Sequence, residues 1–169
     1  MTNTENNNLS NIDCIIFDFD GVFTNNKVIV SETGIESVVC NRSDGLGLAM
    51  IHSIGIKTLI LSTEKNRVVS TRANKLNIEC IQGVDNKYAE LVRLSQDWEI
   101  PLANIAFVGN DINDLECMEV VGFPVAVADA YPPVIDVATI ILTRKGGEGA
   151  VREICEMIIK VRDGNKWKR

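Results

Sequence analysis

Apolar runs of strand length alternate along the chain with longer stretches of helical period. Residues 12–17, 57–61, 79–82, 105–108, 125–128 and 139–142 are predicted strands, and residues 44–53, 67–76, 87–98, 113–121, 133–137 and 148–162 are predicted helices. Such alternation is the pattern of an α/β fold whose mainly parallel sheet is wrapped by helices. Strands buried on both faces read as unbroken apolar runs, as Ile15-Ile16-Phe17 and Leu59-Ile60-Leu61 do. The punctuation agrees: Ser43 is placed to cap the first helix, Gly55 follows its end, and Pro132-Pro133 suits a helix start. One stretch departs from the alternation. Residues 27–40 hold two β-branched runs around Glu32-Thr33-Gly34, a β-hairpin flap set directly after the first strand. No other insertion approaches the ~50 residues of a separate domain, so no cap domain is expected.

The composition narrows the classes. With 169 residues, 46% of them hydrophobic, and a net charge of −6, the chain can bury the core of one domain, placed at residues 12–162. The first eleven residues, MTNTENNNLSN, carry no Lys or Arg and no apolar block, so they read as a disordered polar tail rather than a signal peptide. Residues 163–169 read as a basic tail. No run reaches the ~18 apolar residues of a membrane helix. Five scattered cysteines, with no C-x-x-C pair, fit reduced thiols in a cytoplasm. A pI of about 4.8 argues against a nucleic-acid binder, which needs Lys and Arg across one face to neutralise phosphates. His52, the only histidine, lies in an apolar helical segment and reads as a packed residue.

Chemistry concentrates where the predicted strands end. Asp18-Phe19-Asp20-Gly21 closes the first strand, and residues i and i+2 of an extended chain project to one side, so both carboxylates can face one centre. Carboxylates this close repel unless a cation or a shared proton relieves them, which points to Mg²⁺. An acidic loop capping the next element is the plainer alternative. Ser62-Thr63 follows the second strand of the sheet; the hydroxyls can donate to a phosphoryl oxygen or cap a helix. Lys87 opens a helix, where a lysine is otherwise ordinary surface charge. Asn110-Asp111-Ile112-Asn113-Asp114 ends a later strand with oxygens suited to a hard cation or to capping. Acid pair, hydroxyl, lysine and acid cluster, each at a strand's carboxyl end, are jointly improbable as four unrelated caps.

In that order the four signals resemble the haloacid dehalogenase superfamily of phosphotransferases, across roughly residues 12–159. The resemblance implies a Rossmann-like three-layer fold and a Mg²⁺ cofactor. It assigns Asp18 as the nucleophile of an aspartyl-phosphate and Asp20 as the acid that protonates the leaving oxygen and then activates water. Ser62 and Lys87 would hold the phosphoryl group, while Asp18, the backbone carbonyl of Asp20, Asn110 and Asp111 would form the metal site. Further matches, Arg42-Ser43-Asp44-Gly45-Leu46-Gly47, Gln82-Gly83-Val84-Asp85-Asn86-Lys87, Ala126-Val127-Ala128-Asp129-Ala130 and residues 146–153 (GGEGAVRE), are similar to the cap-less branch that dephosphorylates 3-deoxy-2-keto sugar acids. That branch typically forms tetramers in which the hairpin and a neighbour roof the site, so a homotetramer is implied, with a small phosphorylated sugar acid as substrate.

Two departures from the branch carry information. Ser62-Thr63-Glu64 stands where octulosonate 8-phosphate phosphatases usually read Thr-Gly-Arg. With Glu64 and Lys75, the chain is similar instead to a nine-carbon sugar-acid phosphatase of the branch, which favours a sialic-acid-like 9-phosphate. Thr63, Glu64, Lys75, Gly146 and Gly147 are accordingly the expected substrate-binding residues. The usual Gly-Asp-Asp also reads Gly109-Asn110-Asp111, with a neutral amide at the usual metal carboxylate. That substitution keeps open a second reading, a weak or inactive assembly or regulatory module associated with sialic-acid activation. A signalling receiver domain, a third class, accepts phosphate after a later strand than the one ending in Asp18.

Overall fold

The computed structural model describes residues 9–162. In chain order its elements are β1 (Cys14–Phe17), β2 (Thr24–Val30), β3 (Glu36–Cys40), α1 (Ser43–Ser53), β4 (Lys57–Leu61), α2 (Val68–Leu76), β5 (Glu79–Ile81), α3 (Lys87–Asp97), β6 (Ile105–Gly109), α4 (Leu115–Met118), β7 (Phe123–Ala126), α5 (Pro132–Val137), β8 (Ile140–Ile141) and α6 (Ala150–Arg162). Six strands form one parallel sheet in the order β5-β4-β1-β6-β7-β8, and β2 pairs antiparallel with β3 as a separate ribbon. The predicted α/β class and hairpin are both present. The chain runs outward from β1 to β5, then returns to add β6 on the other side of β1. That reversal opens a crevice at the carboxyl ends of β1 and β6, the place where open α/β sheets bind ligands.

Strand periodicity divides the core between two layers. Ile15 and Phe17 face the side covered by α1, α2 and α6, where they meet Leu48, Ile51, Ile154 and Ile158. Cys14 and Ile16 face the other side, with Leu91 and Leu94 of α3, Met118 of α4 and Val134 of α5. Full burial of each large aliphatic side chain contributes about 1.5–3 kcal/mol. The hairpin has no such cover: Val28, Ile29, Val30, Ile35 and Val39 are each more than half exposed.

Several boundaries move. Leu9–Asn11, assigned to the polar tail, forms a 3-10 turn because Leu9 finds a buried site in the α6-side core. The expected tails at residues 1–8 and 163–169 lie outside the described residues. Ser43 is already helical rather than the cap of α1, because Asn41 does that work: its Oδ1 accepts the Ser43 N–H at 2.9 Å and the Ser43 hydroxyl at 2.8 Å. The predicted helix at 113–121 shrinks to a 3-10 turn, Ile112–Asp114, and the four residues of α4, since Asp111 and Asp114 form a capping box that tightens the first turn. The strand placed at 125–128 is Phe123–Ala126, two residues earlier, and Ala128 instead donates its N–H to Arg144 O.

Asp44 is buried in the first turn of α1, where its Oδ1 accepts the Arg152 N–H of α6 at 3.3 Å and its Oδ2 has no hydrogen-bond partner among the described residues. Burial pushes its carboxyl up from 3.8 to about 6, against the Arg152 N–H and the Arg72 charge. Between these two values the folded chain keeps a proton that the unfolded chain has released, so stability falls as pH rises through this window. Asn at this position escapes the loss. Asp44→Asn is therefore expected to stabilise the protein relative to wild type by on the order of 1–3 kcal/mol at pH 8, and much less near pH 4, in urea denaturation. An equal effect at the two pH values would count against ionisation of Asp44 as the cause.

Candidate active site

Asp18 leaves β1 with its N–H bonded to Val108 O of β6, and its side chain is only 6% exposed. Its Oδ1 accepts the Phe19 N–H at 2.7 Å and pairs with Lys87 Nζ at 2.8 Å. Lys87, the first residue of α3, is buried as well, and its Nζ also pairs with Asp114 Oδ1 at 2.8 Å. Burial opposes the lysine charge, but Asp18 and Asp114 outweigh it and hold the ammonium above its ordinary range. For Asp18 the balance falls the other way. Burial and the charge of Asp114 push its carboxyl up to about 7, although Lys87 and the Phe19 N–H pull it down.

Asp114 was not among the expected site residues, yet it organises this corner. Its Oδ2 accepts the Asn110 N–H at 2.9 Å and the Asp111 N–H at 3.4 Å, so one carboxylate fixes both the lysine and the loop after β6. Gly109 permits this, because a Cβ there would lie 2.6 Å from Asp114 Oδ2. The available signal was its spacing, four residues after Asn110 in an acidic loop that a capping role explained equally well.

A pocket of about 90 Å³ opens at this point, lined by Asp18, Asp20, Ser62, Thr63, Asn110 and Asp111 together with Asn26 and Asn113. Ser62 is buried and its Oγ accepts the Glu64 N–H at 3.1 Å, which leaves its own proton to donate to a ligand. Asp20 is half-buried. Burial and the negative charge of Glu64 raise its carboxyl, against a hydrogen bond from Thr24 Oγ1 at 3.4 Å. Asn110 is 5% exposed, and its Oδ1 is a buried acceptor without a hydrogen-bond partner among the described residues. Its Nδ2 packs against Gly21, where a Cβ would lie 2.0 Å away and where the φ of +79° suits glycine. An orphaned oxygen on a residue that lines one pocket with Asp18 and Asp111 adds to a set of oxygen donors of the kind a hard divalent cation takes up, so the residues present fit a metal.

The comparisons with known proteins bear on this arrangement. Residues 51–154 match the family model of haloacid dehalogenase-like hydrolases. The chain is 35% identical over 150 residues to the 3-deoxy-D-manno-octulosonate 8-phosphate phosphatase of Escherichia coli strain K12, spanning 88% of this chain and 80% of that protein. It belongs to the haloacid dehalogenase-like hydrolases. A solved structure of the octulosonate 8-phosphate phosphatase from Moraxella catarrhalis, in complex with magnesium, phosphate and KDO, is similar at 32% identity and a TM-score of 0.92, over 97% of this chain and 95% of that one. A haloacid dehalogenase family hydrolase from Streptomyces avermitilis is 42% identical, with a TM-score of 0.87 over 89% and 87% of the two chains.

Within this hydrolase fold, three of the expected substrate residues sit elsewhere than anticipated. Gly146 and Gly147 do not present their amides to the pocket. Gly146 N–H donates to Asp129 Oδ1 at 2.9 Å and Gly147 N–H to Val22 O at 3.0 Å. A Cβ on Gly146 would lie 1.9 Å from Gly21 O, so both glycines serve to let their loop clamp the turn that carries Asp20. Lys75, at the far end of α2, is exposed and lines a different groove of about 550 Å³ with Glu36, Arg67 and Arg72. A nine-residue helix carries it away from the pocket at about 1.5 Å per residue. Glu64 remains near the reaction centre, in a chamber beside the pocket that it shares with Asp20.

Proposed function

We propose that this hydrolase is a Mg²⁺-dependent phosphomonoesterase acting through an aspartyl-phosphate on a 3-deoxy-2-keto sugar acid, with a nonulosonate 9-phosphate favoured over an octulosonate 8-phosphate. The observation that carries the reading is the buried Asp18–Lys87–Asp114 array at the mouth of a pocket also lined by Ser62 and Asp20. Oδ1 of Asp18 is engaged by Phe19 and Lys87, which leaves Oδ2 to attack phosphorus. Ser62 donates its proton to a phosphoryl oxygen, and the Lys87 ammonium offsets the charge of that group. Asp20, its carboxyl raised, gives a proton to the leaving oxygen and then takes one from the water that hydrolyses the acyl phosphate. Asp18, the Asp20 carbonyl, Asn110 and Asp111 would hold Mg²⁺, which supplies Lewis acidity toward phosphoryl oxygens when bound. The magnesium, phosphate and KDO in the Moraxella relative support both metal and substrate class. The orphaned Asn110 oxygen speaks for an enzyme rather than an assembly module.

Glu64 supports the nine-carbon preference, since it accepts hydrogen bonds where the eight-carbon enzymes carry a donor. Lys75, which does not line the pocket of its own chain, serves this reading from a neighbouring copy. The exposed apolar hairpin supports a homotetramer that covers it, and five cysteines without a disulfide support a reducing, cytoplasmic setting. The test is phosphate release from a panel of sugar-acid phosphates with Mg²⁺ and with excess chelator. Metal-dependent release is expected, with higher kcat/KM on the nine-carbon 9-phosphate. A preference for the eight-carbon ester would overturn the nonulosonate assignment, and silence on every ester would overturn the enzyme.

A further inference from the structure

Next to the phosphoryl pocket the hairpin roofs a second chamber of about 260 Å³. Asp20 and Asn26 line both spaces, so a group leaving phosphorus beside Asp20 passes directly into the chamber. Asn26 is aimed there by a break in strand register between Thr24 and Val28 and by its own φ of +60°, a conformation that Asn tolerates. The chamber's far wall holds two carboxylates from segments remote in sequence: Glu36 of β3 and Glu64 of the loop after β4. Asn66 fastens both. Its Nδ2 donates to Glu36 Oε2 at 2.8 Å, and its backbone N–H donates to Glu64 Oε1 at 2.6 Å. Against Asp20, Glu36 and Glu64 stands, among the described residues, one cation on the chamber wall, the exposed Lys27, so the lining they form is acceptor-rich and net acidic.

We propose that Glu36 is a specificity-determining residue of this active site, held by Asn66, and that the chamber it shares with Glu64 takes the uncharged, hydroxyl-bearing carbon chain adjoining the phosphate ester. The inference rests on the phosphatase reading and adds to it which end of the substrate the hairpin contacts. Carboxylates only accept hydrogen bonds, and a chain of vicinal hydroxyls supplies donors in series. A substrate carboxylate in the same space would face repulsion from two or three like charges, so it lies outside the chamber. Glu36 comes from the hairpin rather than from the strand ends, so this part of the specificity is carried by a segment separate from the one that bears Ser62 and Glu64.

The test uses the full chain with Mg²⁺ and two substrates: a nine-carbon keto-deoxy acid 9-phosphate, and acetyl phosphate, which has no hydroxyls. Glu36→Gln keeps the volume and an oxygen for Asn66 Nδ2 but removes the charge. The ratio of kcat/KM for the sugar ester over that for acetyl phosphate is expected to fall about tenfold, mostly through KM, and Asn66→Ala is expected to lower it in the same way. Melting curves of each variant verify folding. If the ratio stays at the wild-type value in Glu36→Gln and in Glu36→Ala, or both substrates lose equally, Glu36 does not read the sugar and the inference falls while the phosphatase stands. If wild type releases phosphate from neither substrate, the phosphatase reading fails and takes the inference with it.

Discussion

Asp18→Asn is expected to abolish phosphate release, lowering kcat on the order of 10⁴-fold or more, with the fold intact. The amide fills the volume of the carboxylate and its oxygen still accepts the Phe19 N–H, but it cannot form the acyl phosphate proposed above. Stability should change little. Burial has already pushed the Asp18 carboxyl up to about 7, so the charge removed is one that the protein holds at a cost. Lys87 also retains Asp114 as a counter-ion. Denaturation curves beside steady-state rates make the comparison, and a variant with wild-type turnover on any ester would exclude the covalent route. Asp20→Asn is expected to be inactive as well, through loss of proton transfer at the leaving oxygen.

Asp114→Asn is expected to lower kcat about a hundredfold and to destabilise the fold by about 3 kcal/mol, the typical cost of breaking a buried ion pair. An Asn oxygen can still accept the Asn110 N–H, but its amide nitrogen then faces Lys87 Nζ, donor against donor. The lysine, 2% exposed at its side chain, cannot turn to water and is left with Asp18 as its one buried counter-ion. Asp18 is then drawn into a closed pair while the loop carrying Asn110 and Asp111 loosens. Chemical denaturation and Mg²⁺ titration separate the two effects. Full activity, stability and metal affinity in this variant would show that Asp114 is a bystander.

The periodicity of apolar runs was sufficient for the architecture, because each strand of a parallel sheet must bury both faces and each covering helix one, and those demands are written locally. The hairpin was equally legible from β-branched runs on either side of Glu32-Thr33-Gly34. Asp18, Asp20, Ser62 and Asn110-Asp111 were placed together because strand ends in such a sheet converge on one crevice, so a residue's position relative to its own strand nearly fixes its place in the site. Where no strand end constrained it, the sequence was ambiguous. A polar stretch such as Leu9–Asn11 looks like tail until the core offers Leu9 a seat.

What the sequence by itself determined is the order of elements, the crevice and the presence at it of Asp18, Asp20, Ser62, Thr63, Asn110 and Asp111, since these follow from period, length and strand termini. What only the tertiary structure decided is how those groups are partnered. Asp114 binding Lys87 across 27 residues, and Asn66 fastening Glu36 across 30, are pairings between segments that no local pattern connects. The same holds for Gly146 and Gly147, whose amides a glycine loop seemed to offer to a ligand and which the turn after β1 and Asp129 had already claimed. Lys75 was removed from its own pocket simply by the rise of the helix that bears it. Hydrogen bonds and ion pairs act over a few ångströms, and contact at that range between distant segments exists only once the sheet has set their separation.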